Sequence, residues 1–121
     1  MDTIIGLGKA GCNIARTFQK YPQYEVFKLD TVYSDENNYY RMEKYENPED
    51  YEENCPDLTY FFKYARGEAL FITSGSSPIS LSSLHILSQL KDRCKLSVLY
   101  IKPNTSALTG QSELIERSVY Y

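Results

Sequence analysis

In the first thirteen residues, MDTIIGLGKAGCN, the apolar run Thr3, Ile4, Ile5 stops at Gly6, and Gly6, Gly8 and Gly11 then take the spacing G-x-G-x-x-G ahead of a helical pattern. The order is strand, glycine loop, helix. Such a loop can hold phosphate, because glycines carry no Cβ to keep the backbone from an anion and a helix start presents unpaired N–H groups at its positive end. Lys9, Ala10, Cys12 and Asn13 share the stretch and join the glycines as candidate phosphate contacts. Glycines also serve simply to turn a strand into a helix. The phosphate reading gains from its setting at the head of a chain that alternates strands and helices.

A chain of 121 residues reads as one domain, long enough for a single core and short for a complete enzyme with a separate substrate domain. No apolar run approaches the roughly 20 residues of a membrane span, and the N-terminus opens in a strand pattern without a signal-type core. Cys12, Cys55 and Cys94 are widely spaced and contain no C-x-x-C pair, which favours neither a disulfide framework nor a zinc site. The expectation is a cytoplasmic protein with no membrane and no metal. The net charge of -3 is unevenly spread: positions 34–57 carry nine acids and two bases, and the remainder is net basic. That distribution opposes a nucleic-acid binder and leaves room for a basic protein partner.

After the glycines, Ile14, Ala15, Phe18 and Tyr21 recur at helical spacing, with Pro22 as the stop. Residues 24–29 (YEVFKL) alternate, with Tyr24, Val26 and the stem of Lys28 on one side and Glu25, Phe27 and Leu29 on the other. A second strand ending at Asp30 follows, and the three elements make a right-handed crossover with parallel strands. Asp30 lies nineteen residues after Gly11, where a dinucleotide-binding domain places the acid that holds the ribose hydroxyls. On that reading the cofactor is NAD or a relative. The other reading has Asp30 cap the turn after the strand.

Positions 31–57 form an acidic insert containing Tyr33, Tyr39, Tyr40, Tyr45 and Tyr51, broken at Asn47-Pro48 and Cys55-Pro56. The pattern predicts irregular structure with a short helix near 38–44. Its tyrosines either drape the surface or form a docking face, since tyrosine gives large contact area at low entropic cost. Leu58, Phe61, Phe62 and Ala65 then predict a helix over 58–66, with Asp57 as its N-cap and Gly67 as its stop. ALFIT, 69–73, reads as a strand covered on both faces. Beyond SGSSP, Ser80 is read as the cap of a helix bearing Leu81, Leu84, Leu87 and Leu90, and 95–101 as a fourth strand. His85, the single histidine, has no assigned role. A last helix is expected over 112–121.

The sum is an α/β domain: a Rossmann-like three-layer sandwich around a mostly parallel sheet of about four strands, in the order 2-1-3-4. Three loops are expected to converge at the carboxyl ends of the strands, at 6–13, 74–78 and 102–110.

These motifs, in their order, resemble the N-terminal nucleotide-binding domain of the tubulin/FtsZ superfamily. IIGLGKAGCNIARTF is similar to its first phosphate loop, with Asn13 at the family asparagine; LFITSG resembles the strand before the glycine-rich signature loop; and LSVLYIKPNTSALTG resembles the strand and Lys-Pro loop that follow. The match spans most of the chain except 31–57. The resemblance implies guanine nucleotide, GTP or GDP, held at 6–13 and at Gly75, Ser76 and Ser77. Here the signature run of glycines and threonines is reduced to Gly75-Ser76-Ser77-Pro78-Ile79-Ser80, about two residues short, with a proline that has no N–H to donate. The serine hydroxyls stand in as donors, or serve as turn and cap residues. The family's later catalytic acids have no counterpart in these residues. The resemblance therefore implies a reduced domain that binds or assembles with protein, with weakened or lost nucleotide binding and no hydrolysis by the family mechanism.

Overall fold

The computed structural model describes residues 1–102. Strand β1 (Thr3–Leu7) passes directly into helix α1 (Gly8–Arg16), and strands β2 (Glu25–Asp30) and β3 (Tyr39–Arg41) follow. Helix α2 (Pro48–Glu53), strand β4 (Gly67–Ser74), a 3-10 turn over Pro78–Ser82, helix α3 (Ser83–Leu90) and strand β5 (Cys94–Ile101) complete the order. All five strands are parallel in the sequence β3-β2-β1-β4-β5, with helices on both faces. The predicted α/β sandwich and the order of its four expected strands are both present.

Alternation divides the core in two. On one face Ile5, Leu7, Phe27, Leu29 and Phe71 pack against Leu58, Phe62, Leu81, Ile86 and Leu90. On the other, Ile4, Val26 and Ile72 pack beneath Ala15 of α1. Gly6 and Gly11 let that helix lie almost on the sheet, because a Cβ on Gly6 would collide with the Gly11 carbonyl and one on Gly11 with the Ile72 carbonyl. Gly8, at φ +78°, turns strand into helix in one residue.

Five expectations are corrected, four here and one, over 58–66, below. Residues 6–13 hold no loop, since the strand end and the first turns of α1 occupy all of them. The helix ends at Arg16, short of Pro22, and Phe18 and Tyr21 instead set their rings edge-on to Tyr24, with centroids 5.3 and 6.2 Å away. In place of an irregular segment with a helix near 38–44, the insert supplies a fifth strand, β3, and helix α2, whose Pro48, Glu49 and Asp50 suit a helix start. Ser80 lies inside the 3-10 turn, donating to the Ser77 carbonyl at 2.7 Å, and Ser82 precedes α3.

The predicted helix over 58–66 is a series of turns. Its backbone is claimed from elsewhere in the fold: Leu58 N–H donates to Gln89 Oε1 at 2.5 Å, Arg93 donates to the carbonyls of Phe62 and Lys63, and Arg66 N–H donates to Thr3 Oγ1. Phe61 and Phe62 both put their rings 5.4 Å from Phe27, which suits a turn better than successive positions of a helix. Asp57 still caps the segment start, accepting from Thr59 N–H at 3.0 Å. Gln89 also donates to the Pro56 carbonyl at 2.9 Å, so one amide clamps the segment at two points. Gln89→Leu, which strands the Leu58 N–H, is expected to cost about 2 kcal/mol. A urea midpoint equal to the parent's would refute the clamp.

The expected helix over 112–121 and the loop positions 103–110 lie outside the described residues.

Candidate functional site

The order β3-β2-β1-β4-β5 places the switch point of the sheet between β1 and β4, because the chain leaves β1 toward one face and β4 toward the other. Ligands of open parallel sheets bind at that point, beyond the carboxyl ends of the strands. A cavity of about 280 Å³ lies there, lined by Leu7, Gly8, Lys9, Ala10 and Asn13 on one side and Ser74, Ser76 and Ser77 on the other.

Each wall follows from local sequence. Leu7, the residue before α1, contributes no side-chain cap, and no acid occupies the helix's first turn. The leading N–H groups of α1 are thereby left to whatever enters the cavity. Lys9 is exposed at the rim and adds a positive charge. Opposite, Ser74 Oγ lies 2.8 Å from Ser76 Oγ and accepts the Ser76 N–H at 3.3 Å. This compact serine turn faces Gly8 across the cavity, with Ser77 Oγ 3.7 Å from where a Gly8 Cβ would stand. Gly75 N–H is drawn to the Ile101 carbonyl at 3.2 Å, fixing the turn to β5.

Of the residues marked in the sequence, Gly8, Lys9, Ala10, Asn13, Ser76 and Ser77 are brought together at the cavity, while Gly6, Gly11, Cys12 and Gly75 support it from behind. Cys12 is buried, its thiol directed at the carbonyls of Leu29 and Gly6, and burial with the nearby Asp30 carboxylate pushes it up to about 12. It is a packing residue, not a nucleophile. Asp30 stands apart at the end of β2, where its Oδ1 accepts the Thr31 N–H at 2.8 Å. His85 is exposed on α3, away from the cavity lining.

Ser74, within the loop 74–78 expected at this end of the sheet, ends β4 and is a wall of the cavity. One feature escaped the sequence reading. Beside α1, the fully buried Lys28 places Nζ 3.1 Å from Glu36 Oε2, and Glu36 also accepts from Arg16 Nε at 3.1 Å and Nη2 at 2.8 Å. Arg16 in turn donates to Asn13 Oδ1 at 2.9 Å, which joins this network to the rim of the cavity. The Arg16 hydrogen bonds, with those of Ser34 and Lys28, hold the Glu36 carboxyl down to about 2. A lysine between the apolar Phe27 and Leu29 of β2 was the available signal, because a buried ammonium requires a counter-charge.

Compared with protein-family models, curated proteins and solved structures, the chain finds no match.

Proposed function

We propose that the domain is a non-hydrolytic binding module of the tubulin/FtsZ kind, whose switch-point cavity holds the phosphate end of a guanine nucleotide and whose tyrosine-rich acidic segment contacts another protein. The observation that carries the nucleotide half is the meeting of uncapped α1 N–H groups, Lys9 and the serine hydroxyls around one cavity. Helix N–H groups and an ammonium suit an anion. The non-hydrolytic half rests on the resemblance, whose later catalytic acids lie outside the motifs matched. The choice of guanine rests on the resemblance of the three motifs.

A second reading, dinucleotide binding, is favoured by the position of Asp30 at the end of β2, with one carboxylate oxygen engaged by Thr31 N–H. Calorimetric titration with GTP, GDP and NAD, magnesium present, separates the two. Saturable binding of GTP or GDP is expected, weakened about ten-fold in Lys9→Ala, an exposed position whose loss leaves the thermal midpoint unchanged. NAD binding abolished by Asp30→Ala would replace the first reading with the second, and magnesium-dependent GTP turnover would remove its non-hydrolytic half.

A further inference from the structure

Among the described residues, β3 ends the sheet on one side. Lys28 N–H donates to the Asn38 carbonyl at 2.9 Å and Met42 N–H to the Asp30 carbonyl at 2.7 Å, which sets the phase of the parallel ladder. In that phase Tyr40 bonds inward to β2, and the N–H and C=O groups of Tyr39 and Arg41 point outward. An outward row of this kind is a template for another strand.

Two hollows run beside this edge and share Tyr40 as a wall. One, of about 380 Å³, is bounded by Tyr39, Tyr60, Phe61 and Tyr64, and the other, of about 230 Å³, by Met42, Glu43 and Tyr45. Tyr60 and Tyr64 are exposed, and the Lys63 ammonium already lies 4.1 and 5.0 Å from their ring centroids. Lys63 thus already covers these rings, and each hollow carries one base beside one acid, Lys63 with Asp57 and Arg41 with Glu43. The surrounding stretch 34–57 is net -7, with Glu43, Glu46, Glu49, Glu52, Glu53 and Asp57 all exposed.

We infer that the open edge of β3 is a docking site for an extended, lysine- or arginine-rich segment of a partner protein, which adds as a sixth strand and seats side chains in the two hollows. Backbone pairing supplies the attachment, and the net-acidic surround selects a basic partner. Three residues of edge make the contact weak and salt-sensitive. The inference rests on the protein-binding half of the proposed function and is independent of the nucleotide cavity.

The test uses a synthetic peptide alternating Lys with Val, followed by amide NMR on the full chain. Saturable binding is expected, with slowed hydrogen exchange at the Tyr39 and Arg41 amides. The same peptide with alternate amides N-methylated, and a Glu-for-Lys analogue, should each bind at least ten-fold more weakly. Arg41→Pro removes one outward donor that β2 does not use, and should abolish the protection while leaving the β1–β2 amide shifts in place. Equal binding of the N-methylated peptide, or binding with Tyr39 and Arg41 amides unprotected, overturns the strand addition while leaving protein binding through this segment standing. Absence of saturable binding by any of the peptides overturns the edge as a site for basic segments.

Discussion

Gly11→Ala is expected to destabilise the fold by about 3 kcal/mol, although it adds a single methyl group and alanine is the better helix former. The new Cβ would meet the carbonyl oxygen of Ile72, a backbone atom of a central strand held in register with β1. A side chain could swing aside, but this carbonyl cannot move without disturbing the β1–β4 ladder. The helix must lift instead, which loosens the contacts of Cys12 and Ala15, both now fully buried. Gly8→Ala should cost less, about 1–2 kcal/mol, because its penalty is the φ of +78° together with an approach of 3.0 Å to the Ile79 Cγ2 methyl. Urea unfolding of both variants checks the ranking. A Gly11→Ala midpoint matching the parent's would mean that α1 does not press on β4 as described. A practical consequence concerns ligand titrations: loss of binding in a Gly11 variant would report the displaced helix, whereas Lys9→Ala reports the cavity.

The second large effect is expected at Glu36. Glu36→Ala leaves the Lys28 ammonium fully buried with its carboxylate partner removed, and a cost of about 3 kcal/mol follows. The low end of the range for a broken buried pair applies because the Glu36 side chain itself is 30% exposed. Lys28→Met combined with Glu36→Ala should recover most of that loss, since a methionine in the same strand position requires no counter-charge. If the double variant were no more stable than Glu36→Ala, the ion pair would not be the source of the cost. The same network has a pH signature. The Glu36 carboxyl is held below its ordinary value of 4.5, down to about 2, chiefly by the Arg16 hydrogen bonds. The folded state thus prefers the ionised form. Its stabilisation is complete above pH 4.5 and is lost as pH falls from there through about 2. Acid titration of stability should show this limb in the parent and a flatter one in Glu36→Gln.

Several elements were legible because their signals are local. The run Thr3, Ile4, Ile5, the alternation over 24–29 and the apolar stretch 69–73 each identify a strand from side-chain character alone, and all three lie in observed strands, the first running on to Leu7. Helix α3 followed from leucine spacing, although Ile86, with Leu81 and Leu90, takes the deepest positions and Leu84 and Leu87 are half-buried. The glycine spacing located one wall of the cavity. The opposite wall was legible in the loop 74–78, of which Ser74, Ser76 and Ser77 line the cavity.

Other features depend on partners distant in the chain. Tyr39–Arg41 lacks the length of a convincing strand, and it becomes one because Lys28 and Asp30 of β2 offer backbone groups on that side. Positions 58–66 carry a helical spacing, yet Gln89, Arg93 and Thr3 claim their backbone groups. Lys28 reads as a residue whose stem covers a strand face, and Glu36 on the following segment makes its complete burial tolerable.

By itself, then, the sequence determined the α/β class, the principal strands and the glycine-rich start of the first helix, since hydrophobic period and missing Cβ atoms act within a few residues. Only the tertiary structure decided the fifth strand, at the edge of the sheet among the described residues, the turns over 58–66 and the Lys28–Glu36–Arg16 network. Each of those is a pairing of hydrogen-bonding or charged groups far apart in the chain, and such groups find their partners only once the sheet has brought them together.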